Sequence, residues 1–171
     1  ARLYYKGNAE LPPVTATFLA FRFIPVTATL HIIEVPLIRI VSVSQDNSLP
    51  YRITVTATTK VSIRVSNVNV NGLPLNVGAD CRTSSLVTLV LVGRGENAIP
   101  PTGYTVETGG PLSGFITVPP FIGCGVTENL DPLLTGSISG RGNFVKQTQG
   151  KLCGPTSQFG VCPPLAPKPE R

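Results

Sequence analysis

Arg52-Ile53-Thr54-Val55-Thr56-Ala57-Thr58-Thr59-Lys60-Val61-Ser62-Ile63-Arg64-Val65 is the longest alternation in the chain, and it decides the fold class. Ile, Val and Ala hold the odd positions, apart from Thr59, while Thr, Lys, Ser and Arg hold the even ones. A period of two sends one set of side chains to a core and the other to water, which is the signature of a half-buried β-strand. The apolar parity then flips, because Val68 and Val70 are even-numbered. One extra residue inserted near Ser66-Asn67 would do this, so a β-bulge is expected there. Asn71-Gly72 follows between apolar segments and predicts a two-residue hairpin turn with positive φ at Gly72.

The same pattern spreads in both directions. Val14, Ala16 and Phe18 alternate with Thr15 and Thr17, and Val26, Ala28, Leu30 and Ile32 alternate with Thr27, Thr29 and His31. Further strands are predicted at Leu37 to Ser44, Leu86 to Val92, Tyr104 to Thr108, Leu112 to Val118, Leu133 to Ser139 and Phe144 to Gln149. Gly109-Gly110 predicts a second tight turn, and Gly93-Arg94-Gly95 and Gly140-Arg141-Gly142 also read as turns, with no helix following to make either a phosphate loop. About ten short strands and no helix predict an all-β protein, an antiparallel β-sandwich of immunoglobulin-like or jelly-roll-like type. Val-Thr-Ala-Thr recurs at Val14, Val26 and Val55, but at unequal intervals, which excludes a solenoid or propeller.

Composition supports this class. Of 171 residues only 13% are charged against 42% hydrophobic; 17 Gly and 17 Pro punctuate short apolar runs, and Met and Trp are absent. A length of this order suits one domain. The net charge of +5 is carried by single, scattered cations with no aromatic–basic alternation, which argues against nucleic acid and allows at most weak attraction to acidic or cell-wall glycans. No run of 18 apolar residues suggests a membrane span, since Arg22 and Pro25 break the stretch from Phe18. The opening Ala1-Arg2-Leu3-Tyr4-Tyr5 is unlike a signal peptide, so an exported protein would be numbered here from after cleavage.

The four cysteines point to an oxidising, extracellular setting: secreted or on a cell surface. Cys153 and Cys162 enclose a Gly-, Pro- and Ser-bearing loop and read as a small staple, leaving Cys81 and Cys124 as a second pair; three connectivities stay open. No C-x-x-C spacing supports the rival, a zinc site. The chain divides into an N-terminal extended segment (1–24), a sandwich (25–152) and a stapled, Pro-rich tail (153–171). Phe18, Leu19, Phe21, Phe23 and Ile24 crowd both faces of the first segment, which a single sheet cannot cover on its own. They are the candidate subunit contact, available for donation to a neighbouring copy.

A search for catalytic chemistry yields no nominee. His31, the only histidine, lies on a threonine face with no nucleophile–base pattern around it. Asp80, Glu96, Glu107, Glu128 and Asp131 show no spacing that favours any two as a glycosidase pair. Glu128-Asn129-Leu130-Asp131 lacks the periodicity of a calcium loop and reads as a turn. Ile99-Pro100-Pro101-Thr102-Gly103 approaches a sortase sorting motif, but strands follow it instead of an apolar span and basic tail, so it reads as a Pro-Pro turn. No catalytic residue, cofactor or metal is assigned.

The second half carries a resemblance. The run Val68-Asn69-Val70-Asn71-Gly72-Leu73-Pro74-Leu75-Asn76-Val77-Gly78-Ala79-Asp80-Cys81-Arg82-Thr83 is followed by Phe121-Ile122-Gly123-Cys124-Gly125, Leu130-Asp131-Pro132-Leu133-Leu134 and Ser139-Gly140-Arg141-Gly142-Asn143. In the order of these blocks, over residues 60–153, the chain resembles a family of secreted actinobacterial β-sandwich proteins of unassigned function. The resemblance implies an exported sandwich with Cys81 and Cys124 paired and supplies no catalytic residues. The strands before residue 50 fall outside it.

Two functions fit these observations. The first is a non-enzymatic structural or assembly protein (a fibre, pilus-like or surface-layer subunit, or an adhesin), associating with copies of itself by strand donation. The alternative is a soluble secreted module that binds a glycan or peptide, or acts as an inhibitor, through its loops. A secreted hydrolase ranks third.

Overall fold

The structure is a computed structural model that describes residues 11–20, 23–34, 39–46, 51–96, 102–105 and 108–150, with the backbone alone at 34, 39–43 and 46. These residues form eleven strands and one helix: β1 (Val14–Ala20), β2 (Ile24–Glu34), β3 (Arg39–Asp46), β4 (Arg52–Val70), β5 (Leu73–Leu75), β6 (Arg82–Thr83), β7 (Val87–Glu96), β8 (Thr102–Gly103), β9 (Gly110–Val118), β10 (Phe121–Ile122), α1 (Asp131–Ile138) and β11 (Gly140–Gln149). The protein is therefore predominantly β, as the alternation predicts. All eleven strands belong to one antiparallel sheet, curled into a half-barrel, with the main path β1-β2-β4-β7-β9-β11.

The quoted alternation is the spine of this sheet. One edge of the 19-residue β4 is paired first by β3 and then by β2; its other edge is paired by β7, β6 and β5 in turn. The two ends of the sheet are thus joined through one strand instead of being bonded as two separate layers. Val55, Val61, Ile63 and Val65 are buried on the odd parity and Val68 on the even. The switch is a bulge: Thr27 pairs with Asn69 and Thr29 with Ser66, so Asn67 and Val68 together oppose Ala28. Asn67 has φ +50°, a conformation that Asn tolerates better than most residues. Its side-chain amide donates to Thr29 Oγ1 at 3.4 Å. The expected hairpin turn is present as well, with φ +50° at Asn71 and +82° at Gly72 and Val70 opposite Leu73.

Four sequence expectations are corrected. Leu133 to Ser139 is not a strand but part of α1. A short apolar run does not distinguish the two by periodicity; here Pro132 in the first turn, Asp131 at the amino end and burial of Leu130 and Leu134, four residues apart, select the helix. Gly93-Arg94-Gly95 is not a turn but lies inside β7. Its glycines make room for Tyr104, whose ring stands 2.8 Å from where a Gly93 Cβ would be and whose carbonyl oxygen occupies the space of a Gly95 Cβ. The strand expected over Tyr104 to Thr108 is not present at its described residues: β8 ends before it and Thr105 and Gly109 exchange backbone hydrogen bonds as an isolated bridge, while residues 106 and 107 lie outside the described residues. Gly140-Arg141-Gly142, also expected as a turn, opens β11 as an irregularity in its pairing with β9.

Candidate functional site

Cys81 and Cys124 form a disulfide, buried at the junction of β6 and β10. Backbone hydrogen bonds tie the loops around it: Val65 N–H donates to Cys81 O at 2.9 Å, and Gly125 N–H to Val77 O at 2.8 Å. Asp131 Oδ1 accepts the Cys124 N–H at 2.7 Å, so the Glu128–Asp131 segment anchors this junction and its carboxylate is engaged with backbone. Cys153 and Cys162 lie outside the described residues.

The five residues nominated as a subunit contact separate by environment. Phe18 and Ile24 are partly buried and face inward, lining a small apolar void of about 40 Å³ with Leu133 and Leu134 of α1. Leu19 points outward at 56% exposure, and Phe23, in the turn between β1 and β2, is 73% exposed. Phe21 lies outside the described residues. Strand β1 pairs with β2 from Val14 opposite Leu30 to Ala20 opposite Ile24, and stands at the end of the sheet path. Among the described residues no strand pairs with its other edge.

The outer face of the sheet carries the polar half of the alternation. Thr15 is opposite Thr29 and Thr17 opposite Thr27, so two of the three Val-Thr-Ala-Thr repeats are direct cross-strand neighbours. His31 is half-buried, with Nε2 3.0 Å from Ser66 Oγ. Across the other end run parallel rows. Thr58 is opposite Val90, and Phe115 opposite Phe144; continuing the β7–β9 register from Val92 and Ser113 sets Val90 level with Phe115. The two rings are 70% and 59% exposed, with centroids 5.3 Å apart and planes inclined at 55°. Lys60, Arg94 and Lys146 surround this row and are exposed. Arg52 Nε lies 3.3 Å from Glu96 Oε1 at one end of the face, an exposed pair that contributes about 0–1 kcal/mol. Sequence reading missed this patch. Its signal was available, since Phe115 and Phe144 fall on the solvent parity of their strands.

Among the described residues no three His, Cys, Asp or Glu side chains are gathered as metal ligands would be, and no helix is long and apolar enough to cross a membrane. Tyr104 is buried and donates from Oη to Gln149 Oε1 at 3.1 Å; burial raises its pKa above the usual phenol value. What the fold defines is an all-β chain braced by a buried disulfide, with β1 and β11 at the two ends of the sheet path among the described residues and a cationic, aromatic outer face. No protein family matches this chain, and neither does any curated protein or solved structure.

Proposed function

We propose that this chain is a non-enzymatic extracellular structural subunit that joins its neighbours through β1. The carrying observation is the outer edge of that strand, which no other strand pairs among the described residues. Val14-Thr15-Ala16-Thr17-Phe18-Leu19-Ala20 contains no charge and no proline, and presents Val14 and Leu19 to solvent. Unpaired edges template intermolecular pairing, and proteins that stay monomeric guard them with lysine, proline or bulges. The opposite end of the path, β11, carries such guards in Arg141, Lys146 and the irregularity at Gly140 to Asn143. The contrast favours an edge kept open for a second copy, which would gain main-chain hydrogen bonds and cover Leu19. As architecture, we read the curled sheet as an antiparallel sandwich whose layers share β4. Secretion, membership of the actinobacterial family resembled by residues 60–153, and a staple between Cys153 and Cys162 belong to the same proposal.

Sedimentation velocity on the full chain tests it. The protein should self-associate, and Val14→Lys with Leu19→Lys, placing edge charges as monomeric sheets do, should yield a folded monomer. A wild-type monomer at high concentration, or undiminished assembly of a folded double variant, would overturn the reading.

A further inference from the structure

We infer that the outer face of β4, β7, β9 and β11 binds a carboxylated polysaccharide, a function separate from assembly through β1. Besides Arg52 and Arg64 on β4 and Arg141 on β11, three exposed cations stand around the Phe115–Phe144 pair: Lys60 on β4, Arg94 on β7 and Lys146 on β11. Among the described residues none of these three has a carboxylate partner; the ion pairs are Arg52 with Glu96 and Arg82 with Asp80. Glu96 is the only acid at the solvent positions of these four strands. A sheet surface with unpaired charge of one sign is complementary to a polyanion.

The spacing of the charges selects the kind of polyanion. Strand separation and rise place Arg94 about 12 Å from Lys146, and Lys60 about 20 Å from either. A nucleic-acid strand carries one charge per about 3.4 Å and is held by clustered cations. Cations this sparse match a polymer with an isolated carboxylate every sugar or two. Between them stands the exposed Phe115–Phe144 pair, 5.3 Å apart, which offers apolar surface to the C–H faces of sugar rings. Thr54, Thr56, Thr58, Thr88 and Thr117 supply hydroxyls that donate and accept in the same plane. Apolar surface, hydroxyls and sparse cations together are what an acidic sugar chain presents in complement.

Affinity electrophoresis of the full chain through gels containing polygalacturonate, dextran or oligo(dT) tests this. Retardation is expected in polygalacturonate, weakening as salt rises from about 50 to about 200 mM, and dextran should give none. Arg94→Glu with Lys146→Glu should reduce affinity about tenfold or more. Phe115→Ser with Phe144→Ser should reduce it several-fold while keeping the salt dependence, and Arg82→Glu should leave it unchanged. If either double variant melts abnormally, the wild-type salt series and the dextran comparison decide. No retardation, equal retardation by dextran, tighter binding to oligo(dT), or folded double variants that bind like wild type would each overturn the assignment.

Discussion

Thr59 is the residue where the spine departs from its own rule. It takes an apolar position in the alternation, is 7% exposed, and among the described residues its Oγ1 has no hydrogen-bond partner. A buried hydroxyl without a partner loses its water and gains nothing. Thr59→Val keeps the shape and removes that loss, so it should raise stability by about 1 kcal/mol in urea melts. Two glycines separate the reasons for using glycine. Around Gly72 a Cβ would meet nothing within 4 Å, so only its φ of +82° opposes substitution; Gly72→Val should cost about 1–2 kcal/mol. At Gly95 a Cβ would occupy the position of the Tyr104 carbonyl oxygen. Gly95→Ala should therefore cost more than Gly72→Val despite its smaller side chain, and a reversed order in the same melts would show that the Tyr104 crossing is loosely held. Tyr104 also sets a pH response. Its folded-state pKa is raised by burial, so it keeps its proton above pH 10 while the unfolded chain loses it. That stability is present below about pH 10 and is lost as pH rises further. Tyr104→Phe should lose about 1 kcal/mol at neutral pH with the Gln149 bond, and should show a shallower alkaline decline than wild type.

At the scale of the element, the β6–β10 pair is only two residues long on each side and depends on what surrounds it. The Cys81–Cys124 bond closes a 43-residue separation across it, worth about 4 kcal/mol by the entropy of the closed loop. Cys81→Ser with Cys124→Ser should lower stability by about that amount, and amide exchange should show β10 and the start of α1 opening first. Uniform loss of protection would mean that the bond braces the whole sheet equally. Legibility in the sequence also divides by element. The bulge at Asn67 and the turn at Asn71-Gly72 could be read because each rests on local backbone chemistry, a parity flip or an Asn-Gly pair. Gly93 and Gly95 could not, since their reason is the crossing of Tyr104, a contact between distant parts of the chain. Helix α1 was lost for another reason: its apolar run, Leu133-Leu134, is too short for periodicity to separate a helix from a strand. For the site, the candidate residues were named as one cluster, but Phe18 turned to the core and Leu19 to solvent because a strand presents successive side chains to opposite sides.

At the scale of the molecule, the sheet path separates two surfaces of different character, an uncharged edge at β1 that is unpaired among the described residues and a cationic, aromatic face around β9 and β11. Assembly through the first would leave the second open on every copy, so an array would display the polysaccharide face repeatedly and gain avidity without new contacts. The position of β4 has a further consequence, for the time during which the chain is made. Strands β2 and β3 have their partner in β4, and among the described residues of one chain β1 pairs only with β2, so β1 to β3 leave the ribosome before the strand that joins them exists. A two-stranded hairpin is marginal alone, and translation at ~5–20 residues per second needs about 1–5 s to carry synthesis from Asp46 to Val70. For those seconds β1, with no charge to discourage a wrong partner, is exposed. The same spine that later joins the ends of the sheet therefore sets how long β2 and β3, and β1 through β2, wait for their partner during synthesis.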